Sequence, residues 1–290
     1  MELTTQQTGT IAFVTDATAD VPAIERDVAA TVPWVVVPEY WRTERDFELH
    51  DDGSSSTELV DAVLRSGLAP EPTEPGWEDF VTMYRELAEI DRVFSIHSPT
   101  TASWSVERAR EAAGAYRNVR VIEANVTGIG LGLLTARARD LAAAGAGPDA
   151  VEEWLRHHRD AVRMLIVPDR FDPMTTQRGL SARLLAGRPM LQSGTAGGFD
   201  RSRRLRSRKA TVAAIESYFR EHTTEGSKLH LAIGHGDAAG AVDPFLDLLE
   251  RIRPDATVEL VGRVGPRLVQ QLGARCVAAA WIEERPLARA

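Results

Sequence analysis

The stretch from Phe13 to Pro22, FVTDATADVP, decides how the rest of the chain is read. An apolar run, TIAFVT (10–15), stops abruptly at a cluster of hydroxyls and carboxylates: Thr15, Asp16, Thr18 and Asp20. A short β-branched run ending in such residues predicts a buried strand followed by a helix start. An acidic side chain at that junction can satisfy free helical N–H groups, a role that suits Asp20. Thr15 and Asp16 sit one step earlier, at the strand's carboxyl end. Side chains there either cap the next element or line a crevice.

The same alternation runs on through the chain. Strands are predicted at TVPWVVVP (31–38), RVFSIH (92–97), NVRVIEA (118–124), AVRMLIV (161–167) and GRPMLQS (187–193), and again at KLHLAIGH (228–235), ATVELVG (256–262) and ARCVAAAWI (274–282). Helical patterns fall at 57–66, 77–89, 102–115, 128–144, 149–159, 207–221, 238–252 and 264–272. Strands interleaved with helices define an α/β fold with a mainly parallel sheet. The segment AAAGAGPDAVEEWL (142–155) reads as a helix end, a turn and a new helix, with Pro148 near its start. It suggests two lobes, an N-terminal α/β lobe over 1–160 and a second α/β lobe over 161–290. HDDGSSSTEL (50–59) and the proline-rich GLAPEPTEPGW (67–77) read as loops.

Composition narrows the function classes. With 34 basic and 42 acidic residues the net charge is −8, which argues against a broad nucleic-acid-binding face. The basic run FDRSRRLRSRKA (199–210) carries no interleaved aromatic rings and reads as a solvated edge strand entering a helix. The single cysteine, Cys276, lies in an apolar run and reads as a buried, inert thiol. No basic-then-apolar leader opens the sequence, and no apolar run approaches the roughly 20 residues of a membrane span. The expectation is a cytoplasmic protein without integral membrane association. His235 and Asp237 at a strand end lack a third ligand, so no metal is expected. The GIGLG at 128–132 has the wrong spacing for a dinucleotide loop and reads as close helix-on-strand packing. No cofactor is implied.

The densest chemistry is in FSIHSPTTASWSVERAR (94–110), where a strand delivers Ser95, Ser98, Thr100, Thr101, Ser103 and Ser105 to the mouth of a helix. Six hydroxyls exceed the needs of one helix cap. Beside a positive helix end they can bind an anion together.

In order and spacing these motifs resemble the DegV-like family of bacterial fatty-acid-binding proteins, the acyl-carrying subunits of fatty acid kinase. Thr15-Asp16-Ala17-Thr18-Ala19-Asp20 resembles the family's Thr-Asp-Ser-x-x-Asp. Pro72-Thr73-Glu74-Pro75 resembles its Thr-Ser-x-Pro-Ser loop, with Gly76 in place of the final Ser. Ser98-Pro99-Thr100-Thr101-Ala102-Ser103-Trp104 resembles Ser-x-Leu-Ser-Gly-Thr-Tyr. Val121-Ile122-Glu123 with Gly130 and Gly132 resembles Val-Ile-Asp-Ser and its spaced glycines, and LLAGRPML (184–191) and LRSRKA (205–210) match two later segments. The chain departs from the family at Arg263-Val264-Gly265-Pro266-Arg267, where relatives carry His-Thr-Gly-Pro-Gly. It departs again around DRFDPMTTQRG (169–179), where a Gly-Gly-Arg-Ile loop is absent or shortened.

The resemblance implies a two-lobed fold with carboxylate-binding loops in the first lobe and an acyl tunnel closed by the second. The implied ligand is a fatty acid such as palmitate, stearate or oleate, and the implied partner is a fatty acid kinase. Thr73 and Ser98 would hold the carboxylate, with Thr101 in the same loop. Arg206 and Arg263 would flank it, and Thr15 and Asp16 would line or brace the mouth. Such a design is physically sound, because a buried carboxylate needs several donors and each buried methylene contributes about 0.8 kcal/mol. Two other readings stay open: a hydrolase or transferase using the Ser/Thr-rich loop, and a regulatory protein that kept the fold and lost the ligand.

Overall fold

The structure, a computed structural model, describes residues 9–21, 32–42, 48–53, 57–65, 72–168, 188–194, 198–205 and 207–284. In chain order the first part contains β1 (Ile11–Asp16), β2 (Trp34–Val37), β3 (Glu39–Arg42), β4 (Glu48–Asp51), α1 (Thr57–Arg65) and β5 (Pro72–Thr73). It continues with α2 (Trp77–Glu86), β6 (Arg92–His97), α3 (Ser105–Ala113), β7 (Val119–Glu123), α4 (Ile129–Ala143) and α5 (Pro148–His158). The second part holds β8 (Arg163–Val167), β9 (Arg188–Ser193), β10 (Phe199–Leu205), α6 (Arg208–His222) and β11 (Lys228–His235). It ends with α7 (Val242–Ile252), β12 (Thr257–Arg263), α8 (Pro266–Leu272) and β13 (Val277–Glu284).

Two lobes follow from two sheets. The first is all parallel, in the order β2-β1-β6-β7. All six residues of β1 are buried, because a central strand of a parallel sheet is covered on both faces. The second sheet, β10-β9-β8-β13-β11-β12, is mixed: only β11 and β12 run parallel. A small antiparallel sheet, β4-β3-β5, stands apart. Two of its strands, β4 and β5, overlap the segments read as loops from the sequence. They are two to four residues long and carry charged and proline residues, so they give no apolar run to detect.

Helix α4 joins the lobes. Its first ten residues other than Arg137 are buried on nearly every side, because that stretch is almost wholly apolar. One core gathers Phe13 and Ile96 of the first sheet, Leu131 and Leu134 of α4, and Ala278 and Ala280 of the second sheet. The alanines of β13 let the helix lie close. Outside this shared layer, α2 and α3 cover the first sheet with Phe80, Tyr84, Ala109 and Ala112. On the far side, α6 and α7 cover the second with Phe219, Phe245 and Leu249 against Trp281. The basic run ends as read from the sequence: β10 is an edge strand, and the Ser207 hydroxyl caps α6 by accepting from the Ala210 N–H at 3.1 Å.

Candidate functional site

The strand order places the site. From β1 the chain leaves toward β2, and from the neighbouring β6 it leaves toward β7. The opposed connections open a crevice at the carboxyl ends of β1 and β6, the usual place for a ligand in a parallel sheet. Asp16 ends β1, His97 ends β6, and Ser98 follows directly.

These residues form a buried hydrogen-bond network. Asp16 Oδ1 accepts from the Thr18 N–H at 2.9 Å and from the Thr18 hydroxyl, while Oδ2 meets His97 Nδ1 at 2.6 Å. His97 Nε2 lies 2.6 Å from Ser95 Oγ, which is 2.7 Å from the Tyr84 hydroxyl. In the other direction Thr18 Oγ1 is 2.8 Å from Ser98 Oγ, which in turn is 2.9 Å from Thr127 Oγ1. Burial alone pushes the Asp16 carboxyl upward, but hydrogen bonds from His97 and Thr18 outweigh it and hold the group below its ordinary value. Asp16, His97 and Ser95 adopt the order of a hydrolytic triad, a relation the sequence did not reveal. Ser95 is fully buried, however, and Tyr84 closes over its hydroxyl, so no substrate carbonyl reaches it. Phe80 packs edge-on against the His97 ring at 5.2 Å. The triad braces the crevice floor.

The six hydroxyls of the Ser-rich segment therefore divide by task. Ser95 and Ser98 belong to the network. Thr100 ties its loop to β7 through Glu123, which accepts from the Thr100 N–H at 3.1 Å. Ser103 Oγ accepts from the Ser105 N–H at 3.1 Å and serves the start of α3. Thr101 is exposed.

Above this floor lies a cavity of about 20 Å³, room for about one water molecule. It is lined by Thr18, Asp20, Glu39, Asp51, Thr127 and Arg267, among others. The Asp20 carboxylate reaches across to the Gly265 backbone N–H at the start of α8, so it bridges the lobes where the sequence predicts a local cap. A Cβ on Gly265 would stand 2.1 Å from Asp20 Oδ1, so a side chain there would displace this carboxyl. Asp20 Oδ2 is buried without a partner, and burial raises this carboxyl well above its ordinary value. Glu39 is raised to about 7, chiefly by burial, with Arg267 opposing. Arg267 grips Glu39 with two nitrogens, Nε at 2.9 Å and Nη2 at 2.8 Å, and gives Nη2 to Glu74 at 3.0 Å.

Against this geometry the predicted site residues separate. Thr15 accepts from the Trp34 indole at 3.0 Å and braces β1 from inside. Asp16 and Ser98 are in the network. Thr73 is exposed on β5, paired with Tyr40 of β3, and makes no hydrogen bond to Ser98. Arg263 ends β12 and pairs with Asp237 at 3.1 Å, outside the cavity lining. Arg206 lies outside the described residues. The cation on the cavity is Arg267, four positions beyond Arg263. The sequence signal for it lies in the same Arg263–Arg267 departure from the family pattern. His97, Glu39 and Glu74 were also missed, because nothing in their local sequence shows what they face.

The fold is that of a two-lobed α/β protein with a parallel sheet flanked by helices in its first lobe. A family model described as an uncharacterised protein of the DegV family matches residues 10–284, and the chain belongs to that family. A DegV domain-containing protein of Deinococcus radiodurans is 27% identical over 225 residues, 74% of this chain and 78% of that one. Among solved structures, a DegV family protein from Thermus thermophilus, described for its fatty acid binding, aligns with TM-score 0.80 at 25% identity. The alignment covers 95% of this chain and all of that one. The Streptococcus pneumoniae fatty acid kinase (Fak) B3 protein, loaded with linoleic acid, aligns with TM-score 0.77 at 17% identity over 95% of this chain and 100% of that one. Among the described residues no helix is long and apolar enough to cross a membrane.

Proposed function

We propose that this protein binds a long-chain fatty acid such as palmitate, stearate or oleate. It holds the carboxylate at the crevice beside Ser98 and Thr73 and presents it to a partner enzyme in the cytoplasm without catalysis of its own. The observation that carries the reading is the hydroxyl cluster of Thr18, Ser98 and Thr127 at the switch point of the parallel sheet, beside a cavity bordered by both lobes. The fatty acid binding described for the Thermus protein and the linoleic acid of the Streptococcus protein support the ligand class, and the latter's place in a fatty acid kinase supports the partner. On this reading residues 1–160 supply the carboxylate-binding loops and 161–290 close the acyl tunnel. At about 20 Å³ the cavity admits an acyl chain only as side chains or lobes give way. The enclosed state of Ser95 weighs against the hydrolase alternative.

The test is mass spectrometry of lipid extracted from the purified protein, with palmitate titration of the delipidated form. Ser98→Ala and Thr73→Ala should each weaken palmitate binding by roughly 1–3 kcal/mol, since a charged acceptor loses a donor. No copurifying lipid and no palmitate binding would overturn the reading. Unchanged affinity in both variants would place the carboxylate elsewhere.

A further inference from the structure

We propose that Arg267 is a positioning residue for ligand recognition: reaching from the second lobe, it clamps Glu39 and Glu74 and so fixes the proline loop against the Ser98 loop. The path is continuous. Arg267 on α8 forks onto Glu39 of β3, and its Nη2 also holds Glu74 Oε1 at 3.0 Å. The other oxygen of Glu74 accepts the backbone N–H of Trp104 at 2.7 Å, just before α3. Glu74 directly follows Thr73, and Trp104 closes the loop that begins at Ser98. One guanidinium thus ties the two loops named for the carboxylate, on the first lobe, to a helix of the second. Arginine suits the task because its planar fork offers several donors in fixed directions, which an ammonium does not.

The clamp responds to protons. Glu39 is almost fully buried, faced by Asp16 of β1, Asp20 of the following loop, Asp51 of β4, and Arg267, with Glu74 beyond the guanidinium. Burial among these acids brings its ionisation to about pH 7. Above that pH Glu39 is a carboxylate and accepts the fork at both oxygens. Below it one oxygen carries a proton, the bidentate grip is lost, and Arg267 is held by Glu74 alone.

What the loops hold rests on the fatty-acid reading above, but the clamp can be read without ligand. The readout is hydrogen exchange at the Trp104 amide in the ligand-free protein, corrected for the intrinsic rate. Native protection should fall about tenfold from pH 8 to pH 6, the size of one charge-assisted hydrogen bond. Arg267→Gln should lose that protection at both pH values. Glu74→Gln, which leaves Arg267 paired with Glu39, should do the same in a protein that folds. Glu39→Gln should show low protection with no dependence between pH 6 and 8. Palmitate affinity should fall in all three variants. The proposal is overturned if Arg267→Gln and Glu74→Gln keep native protection, or if Glu39→Gln keeps the native pH profile. It is equally overturned if folded Glu74→Gln loses protection but binds palmitate as the native protein does. Should the native protein bind no palmitate while the exchange pattern appears as stated, the clamp stands and the fatty-acid reading falls.

Discussion

Two acidic regions lie side by side at the top of the first sheet and behave in opposite ways. In the crevice floor, Asp16 is wholly buried yet kept ionised, because Thr18 and His97 occupy its oxygens. In the cavity above, Asp20 and Glu39 are just as buried, and both are pushed toward their neutral forms. The chemistry of the group is the same; the number and sign of its partners differ. Asp16 faces a dense set of donors. Asp20 and Glu39 face each other and Asp51, answered by the backbone N–H groups of Gly265 and Asp20 and by Arg267. A satisfied network makes a rigid floor. An under-satisfied one stays poised to take up a proton or a ligand.

The comparison breaks most severely if the floor is not structural. His97→Ala strips Asp16 of its main partner and leaves a buried carboxylate short of donors, which should cost about 3–5 kcal/mol in urea unfolding. A loss under about 1 kcal/mol would show that the network is dispensable.

A smaller effect sharpens the contrast through pH. Glu39 has a folded value near 7 against an ordinary 4.5, so the folded state keeps a proton that the unfolded chain has released. Its stabilising contribution is full below about pH 4.5 and is lost as pH rises through about 7. Native stability relative to Glu39→Gln should therefore fall by on the order of 3 kcal/mol between pH 4.5 and 8. Asp16 works in the reverse sense: its contribution is present above the ordinary carboxylate value and is lost only as pH falls below it. Equal pH slopes in the native and Glu39→Gln proteins would remove the distinction.

The smallest change tests the border between the regions. Ser98 bonds Thr18 on one side and Thr127 on the other, all neutral hydroxyls. Ser98→Ala should cost only about 1 kcal/mol of stability in chemical denaturation. A loss as large as that of His97→Ala would mean that the hydroxyls belong to the scaffold and that the crevice has no separate binding layer.

Local pattern was enough for most of the fold. The strands of both large sheets other than β10 announce themselves as short apolar runs, and β10 was visible as a charged edge before a helix. The helices of the described residues follow from periodicity and turn residues. The crevice could be placed too, since Ser98 and the Thr15–Asp20 cluster each follow a strand. The small sheet escaped, because its strands are held by pairing with one another and not by an apolar face.

What tertiary structure alone decided is which charges meet. Asp16 and His97 are 81 positions apart, and Glu39 and Arg267 are 228 apart. Asp20 looked like a local cap and instead spans the lobes. Arg263 pairs with Asp237, and Arg267, four positions on, lines the cavity. The sequence determines which residues are buried and which element carries them, because burial follows from short-range periodicity. It does not determine the partner of a buried charge. That depends on where α8 and β3 come to rest against the crevice, and only the packed chain fixes both.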